Sequence, residues 1–295
     1  MTRNDTIRLL SLAAIWGSSF MFMRLLAPVL GPFWTADLRV GIAGLALCAY
    51  FLVIRLDCEW RRLWKEYLIT GMLNTGVPFI LFSYAALHIP AAYSAIINAT
   101  VPLWGAVFTA IWLNEKLTRS KLLGTTLGII GVGIATGIGS TAIGGQTALA
   151  LLACTGAAIC YGLGGIYIKK FVKGAKPMAM AGASQLFAGL ALLPLAIAMP
   201  VPGAPTLVTA AQVVTFSLLC SAVAYILYYR LMEDVGPTRT FTVTFLVPVF
   251  AMFWGVLLLA EPIHLHMVIG AGIVILGTML VLGFKPLSLI KPRAA

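Results

Sequence analysis

Ten apolar runs of about 20 residues succeed one another along a chain of 295 residues, each about the length that crosses a hydrocarbon core as an α-helix. They fall at roughly 8–26, 34–54, 66–87, 91–113, 120–138, 147–168, 177–199, 209–230, 237–259 and 265–284. A bilayer offers no water to backbone N–H and C=O groups, so such runs must satisfy them internally, as helices. Little chain is left for a soluble domain. With 61% of residues hydrophobic and 10% charged, a water-soluble globule could not hide this much apolar surface. The expected fold is an all-α integral membrane protein with ten transmembrane helices. The first run follows Arg3 and Arg8 without a small-x-small cleavage site, so it reads as a retained span rather than a leader.

The net charge of +11 would suit a nucleic-acid partner, but the basic residues sit in short clusters between spans, as cytoplasmic loops require. With the N-terminus cytoplasmic, 18 of the 20 Lys and Arg fall on the inner side: Arg3 and Arg8, the Arg55–Lys65 cluster, Lys116, Arg119 and Lys121, the Lys169–Lys176 cluster, Arg230 and Arg239, and Lys285, Lys291 and Arg293. The outer loops, including Gly139–Gln146, hold none. Both termini are therefore expected inside, and no nucleic acid is expected as a partner. Arg24 and Arg39 remain, each toward the outer end of its span, where a long side chain can snorkel to the interface. Arg24 and Asp37 are positioned to pair across the intervening hairpin.

The chain also repeats itself. Ala91–Thr118 lies over Pro237–His264 at an offset of 146, aligning Pro102 with Pro248 and Glu115 with Glu261. Ile80–Tyr84 lies over Ile226–Arg230, and Gly124 and Gly131 lie over Gly270 and Gly277, at the same offset. Trp16-Gly17 lies over Tyr161-Gly162 at 145. Each half, 1–140 and 141–295, holds five spans. An odd number inverts the second copy in the membrane, giving two inverted five-helix repeats, a design whose use is alternating access to a midplane site.

The 5+5 layout, AAIWGSSF in the first span, an Arg early in the second, and NEKLT and AEPIH after the fourth and ninth resemble the EamA branch of the drug/metabolite transporter superfamily. Within it the chain resembles the YddG-type amino-acid exporters. The resemblance covers essentially the whole chain. It implies a multi-pass protein of the bacterial inner membrane that exports small neutral or zwitterionic metabolites, amino acids with aromatic ones among them. Other metabolites or small drugs are the alternative solutes.

Candidate site residues follow from polar and proline content. Pro102 and Pro248 each remove a backbone donor and displace the carbonyl four residues earlier, which marks them as hinges. Asn98, Thr100 and Thr244 are candidate polar lining there, with Trp104 and Phe245 as apolar walls; the bland reading is that these polar groups only satisfy the kinked backbone. Trp16, Ser19 and Tyr161 come from the first and sixth spans, and Asn74, Phe79, Ser83 and Tyr225 from the third and eighth. Tyr228 and Tyr229, nearer Arg230, read as belt residues. Glu115 and Glu261 read as caps of following helices.

The glycines of the fifth and tenth spans read as close packing, with a dimer face as the alternative; the monomer is the expected functional unit. The five cysteines lie inside spans or a cytoplasmic loop and suggest no disulfide framework. No cofactor or metal is expected. None of the nine acidic residues falls in the middle third of a span, so strong proton coupling is not expected. That absence also suggests an uncharged cavity. A membrane-embedded lipid-modifying enzyme is the rival from another class, but no HExxH, phosphate loop or Ser/His/Asp cluster supports it.

Overall fold

Short polar signals set several helix starts. The Thr2 hydroxyl accepts from Asp5 N–H at 3.3 Å while the Asp5 carboxylate accepts from Thr2 N–H at 2.7 Å, a reciprocal cap that satisfies two orphan donors. Thr118 and Thr206 cap later helices through the amides of Lys121 and Thr209. The computed structural model describes residues 2–115, 118–137 and 144–283, with 237 and 238 as backbone only. Lys116, Lys285, Lys291, Arg293, most of the Gly139–Gln146 loop and the expected junction at 140/141 lie outside the described residues.

Nine longer helical runs and one helical turn, Pro237–Thr240, make up the described chain, and no strand occurs among the described residues. The first, α1 (Arg3–Val53), is bent at Gly31, where φ 78° and ψ 162° suit glycine and strain other residues. It is therefore two arms joined by a tight turn. Next come α2 (Trp60–Ala85) with a π-helical segment at Met72–Gly76, and α3 (Ala91–Leu113), broken at Ala99–Thr100. After these are α4 (Arg119–Ala135), α5 (Gly145–Phe171) and α6 (Pro177–Ala198). The last three are α7 (Leu207–Val235) with a π segment at Leu218–Val223, α8 (Val243–Leu259) after a turn at Pro237–Thr240, and α9 (Leu265–Val281). Six runs, α1, α2, α3, α5, α6 and α7, are long and apolar enough to cross a membrane, while α8 and α9 are shorter apolar helices.

Local geometry recurs at the offset read from the sequence. The π segments begin at 72 and 218, and the left-handed caps Asn114 (φ 52°) and Ala260 (φ 53°) are likewise 146 apart. Close crossings recur with partners exchanged. A Cβ on Gly17 would lie 2.6 Å from Phe250 Cβ, and a Cβ on its counterpart Gly162 would lie 2.9 Å from Cβ of Trp104, the counterpart of Phe250. Ala43–Leu47 and Ala188–Leu192 share the sequence AGLAL at an offset of 145. There a Cβ on Gly44 would lie 2.6 Å from Leu186 Cα, and one on Gly189 would lie 2.9 Å from Cα of Gly41, the counterpart of Leu186. In α4 and α9, a Cβ on Gly124 would meet Gly277 O at 2.5 Å and one on Gly277 would meet Gly124 O at 2.5 Å. Small residues are what let membrane helices approach to backbone contact, and this stripe is consumed within the chain.

The two prolines differ in setting. Pro102 is in the first turn of a new helical segment after the break at Ala99–Thr100, where its missing donor is not needed. The freed Ala99 carbonyl accepts the Thr278 hydroxyl of α9 at 2.9 Å. Pro248 is buried inside α8, and the second half breaks earlier, ahead of Val243. The mirrored prolines are thus a helix start in one half and an interior residue in the other.

Gly277→Ala should destabilise the protein by about 1–3 kcal/mol, because the added methyl has no room against Gly124 and Gly128. Gly272→Ala, in the same helix with open space around it, should be neutral or slightly stabilising. Thermal unfolding of both variants in one detergent checks this; equal shifts would refute the crossing as the tight contact.

Candidate functional site

Arg39 is the centre of the site, and the sequence placed it elsewhere. It does not reach an interface: it is 4% exposed, and its guanidinium stacks 3.6 Å above the Phe79 ring centroid with Phe216 at 4.5 Å. Nε donates to the Ser221 hydroxyl at 3.0 Å, and Nη2 donates to the Ser19 hydroxyl at 3.3 Å and the Cys220 carbonyl at 3.5 Å. Cys220 and Ser221 belong to the π segment of α7, where i→i+5 geometry perturbs the carbonyl ladder; such segments recur at functional sites. The Ser18 hydroxyl also lies against Cys220 Sγ at 3.5 Å. Both arms of α1 are thereby tied to α7.

The expectation of an uncharged interior is therefore corrected: the bundle holds a cation well inside its apolar helices. The phenols of Tyr161 and Tyr225 lie within electrostatic reach of the guanidinium. Asp37 is two residues away, on the opposite face of the arm, in a shallow groove with Gly41, Leu186 and Leu190.

Several candidates from the sequence converge here. Ser19 and Phe79 touch Arg39 directly. Trp16 packs on Tyr225 at 6.2 Å and on Tyr228 at 5.4 Å between ring centroids, which draws Tyr228 inward from the expected belt. Tyr161 stacks on Phe82 at 6.3 Å. The Ser83 hydroxyl is buried with no hydrogen-bond partner among the described residues. Others stand apart. The Asn74 amide lies against Gly164 in the first π segment. Trp104 covers Gly162. Asn98 is half-buried just before the break in α3. The Thr100 and Thr244 hydroxyls donate to Ile97 O at 2.6 Å and Phe241 O at 2.8 Å, the backbone-satisfying arrangement weighed as the bland reading, and Phe245 is half-buried beside Thr244. Among the described residues no group of His, Cys, Asp and Glu could hold a metal ion.

Two ion pairs mark the ends of the bundle, and they too exchange partners. Arg24 Nε pairs with Glu261 at 3.3 Å, not with Asp37, while its Nη1 donates to the Ala86 carbonyl. Glu261 also accepts the Ala91 N–H at 3.0 Å, capping the start of α3 from the other half of the chain. Lys169, 145 residues after Arg24, pairs at 3.0 Å with Glu115, 146 residues before Glu261. Ala91 starts α3 and Glu115 follows its end, so the pairs lie at opposite ends of that run. Their environments differ. Burial raises the Glu261 carboxyl above the usual carboxylate range despite Ala91 and Arg24, whereas Lys169 holds the solvent-exposed Glu115 below it. One pair is packed and the other is exposed to solvent.

Glu261→Gln removes a charged acceptor and should lower the cost of opening the packed end by about 1 kcal/mol, so amides around Ala91 should exchange with solvent several-fold faster. Glu115→Gln, at an exposed pair, should change exchange at its own end less than twofold. Equal effects at both ends would refute the contrast.

A family model described as the EamA-like transporter family matches the chain twice, over residues 6–137 and 148–283. An uncharacterized transporter of Archaeoglobus fulgidus is 24% identical over 90% of this chain and 94% of its own length. The transporter YvbV of Bacillus subtilis is 24% identical over 92% and 88%, and the inner membrane transporter YedA of Escherichia coli K12 is 25% identical over 97% and 93%. A solved crystal structure superposes with a TM-score of 0.67 at 15% identity, covering 95% of this chain and 96% of that one; that likeness concerns the fold.

Proposed function

The chain belongs to the EamA-like transporter family and is a membrane transporter; from that premise we propose that it exports small neutral or zwitterionic metabolites, amino acids with aromatic ones among them, from the bacterial cytoplasm across the inner membrane. On this reading ten spans form two inverted five-helix halves, 1–140 and 141–295, with both termini cytoplasmic, and the halves rock about a site between them. The family match breaks between residues 137 and 148, which supports the division. The inner-membrane relative supports the location.

The observation that carries the reading is the exchange of ion-pair partners. Arg24 with Glu261 and Lys169 with Glu115 are equivalent pairs, each joining one half to the other, and they lie at opposite ends of α3. Alternating access needs such a pair of equivalent closures used in turn. The packed Glu261 end and the solvated Glu115 end suit a conformation closed outward and open toward the cytoplasm, the side to which the basic loops assign Glu115. Trp16, Ser19, Phe79, Ser83, Tyr161 and Tyr225 form the proposed solute-facing group, with Asn74, Asn98, Thr100, Trp104, Thr244 and Phe245 flanking it and Pro102 and Pro248 as hinges.

Purified protein in liposomes should exchange labelled L-phenylalanine for unlabelled amino acid without chemical conversion, and an imposed pH gradient should not drive accumulation. Pro102→Ala and Pro248→Ala should each slow exchange several-fold at unchanged protein yield. Wild-type flux in both variants would remove the hinges, and conversion of the solute would point to an enzyme.

A further inference from the structure

We propose that Arg39 binds the carboxylate of the transported solute, which narrows the solutes to small monoanionic or zwitterionic carboxylic acids with an apolar part. The inference rests on the transport reading above and deepens it.

Removing a guanidinium from water costs several kcal/mol unless a counter-charge and hydrogen bonds replace the solvent. Arg39 has hydrogen bonds but no counter-charge. Its contacts are the Ser221 and Ser19 hydroxyls, the Cys220 carbonyl and the Phe79 and Phe216 faces. The ion pairs among the described residues involve Arg8, Arg24, Arg62, Lys121 and Lys169, and none includes Arg39. Aromatic faces attract a desolvated cation but do not neutralise its charge. Nη1 is buried and has no hydrogen-bond partner among the described residues. The fold therefore buries a charged donor that is unsatisfied among the described residues.

The architecture does not require that charge. At the offset of 145 that aligns the two AGLAL segments, the counterpart of Arg39 is Ser184. The second half builds the equivalent crossing, Gly189 on Gly41 opposite Gly44 on Leu186, with a small neutral residue there. A cation needed only to hold the helices together would have a counterpart in both halves. Arg39 breaks the symmetry, as a site for one asymmetric solute must.

The surroundings select the ligand. Nε and Nη2 are engaged, leaving the Nη1 edge, and a planar guanidinium edge matches a carboxylate. Among the described residues no second cation is bonded to the Arg39 cluster, so one negative charge is matched and a phosphate dianion is not. Trp16, Tyr161 and Tyr225 offer aromatic faces to the apolar part, and Ser83 has a buried hydroxyl to give.

Matched acid and amide pairs test this in liposomes: efflux of L-phenylalanine against L-phenylalaninamide, and of L-leucine against L-leucinamide. The wild-type protein should move the acids at least tenfold faster than the amides. Arg39→Gln should abolish that preference, slowing the acids at least tenfold more than the amides, and Arg39→Lys should retain part of it. Amides moved as fast as acids by the wild type, a comparison that needs no variant, would overturn the inference and leave the transport reading standing; so would an acid preference that survives in Arg39→Gln. Movement of neither class by protein with an intact thermal transition would overturn the transport reading itself.

Discussion

Backbone contact between helices from the two halves of the chain is the constraint on which the rest of the structure depends. Lipid tails are as apolar as leucine, so burial gives two membrane helices little reason to associate, and close van der Waals packing must do so. Gly17, Gly44, Gly124 and Gly131 each remove the side chain that would hold a neighbour off, and Gly162, Gly189, Gly270 and Gly277 do so at the equivalent places. Because these crossings join one half to the other, each half is completed by its copy. A shift at one crossing is therefore felt at its mirror.

That reciprocity gives the two ends of the bundle their relation. Equivalent ion pairs lie at opposite ends of α3, one half-buried with a backbone amide added, the other in solvent. The same pairing has been built in two environments, one packed and one solvated. In the proposed cycle the environments exchange, with the glycine crossings as pivots. The interior charge at Arg39 is buried and has a serine, Ser184, at the equivalent place in the second half, the asymmetry on which the proposed solute contact rests.

Much of this was legible in the residues. Apolar length gave the helical segments, because a helix satisfies its own backbone in lipid; the 146-residue offset was legible too, and the structure adds to it the π segments at 72 and 218 and the left-handed caps at 114 and 260, which no residue pattern had announced. The glycines read as close packing pack closely. The depth of Arg39 was not legible. Its place in the chain put it near a span end, and only the tight turn at Gly31 with the rotation of the second arm brings it between Phe79 and Phe216, rings 40 and 177 residues away. Arg24 chose Glu261 over Asp37 for the same reason: local spacing cannot see a partner 237 residues away. Pro102 and Pro248 looked alike because a proline's effect depends on whether a helix begins or continues around it.

The central claim is that the halves run through the membrane with opposite polarity, and labelling of equivalent positions tests it most directly. Single cysteines at His88 and at Asp234, 146 residues apart, in a background without the five native cysteines, would be exposed to an impermeant thiol reagent in intact cells. The account expects the cysteine at 88 to react from outside and the one at 234 only after the membrane is opened. Reaction of both from the same side would contradict it.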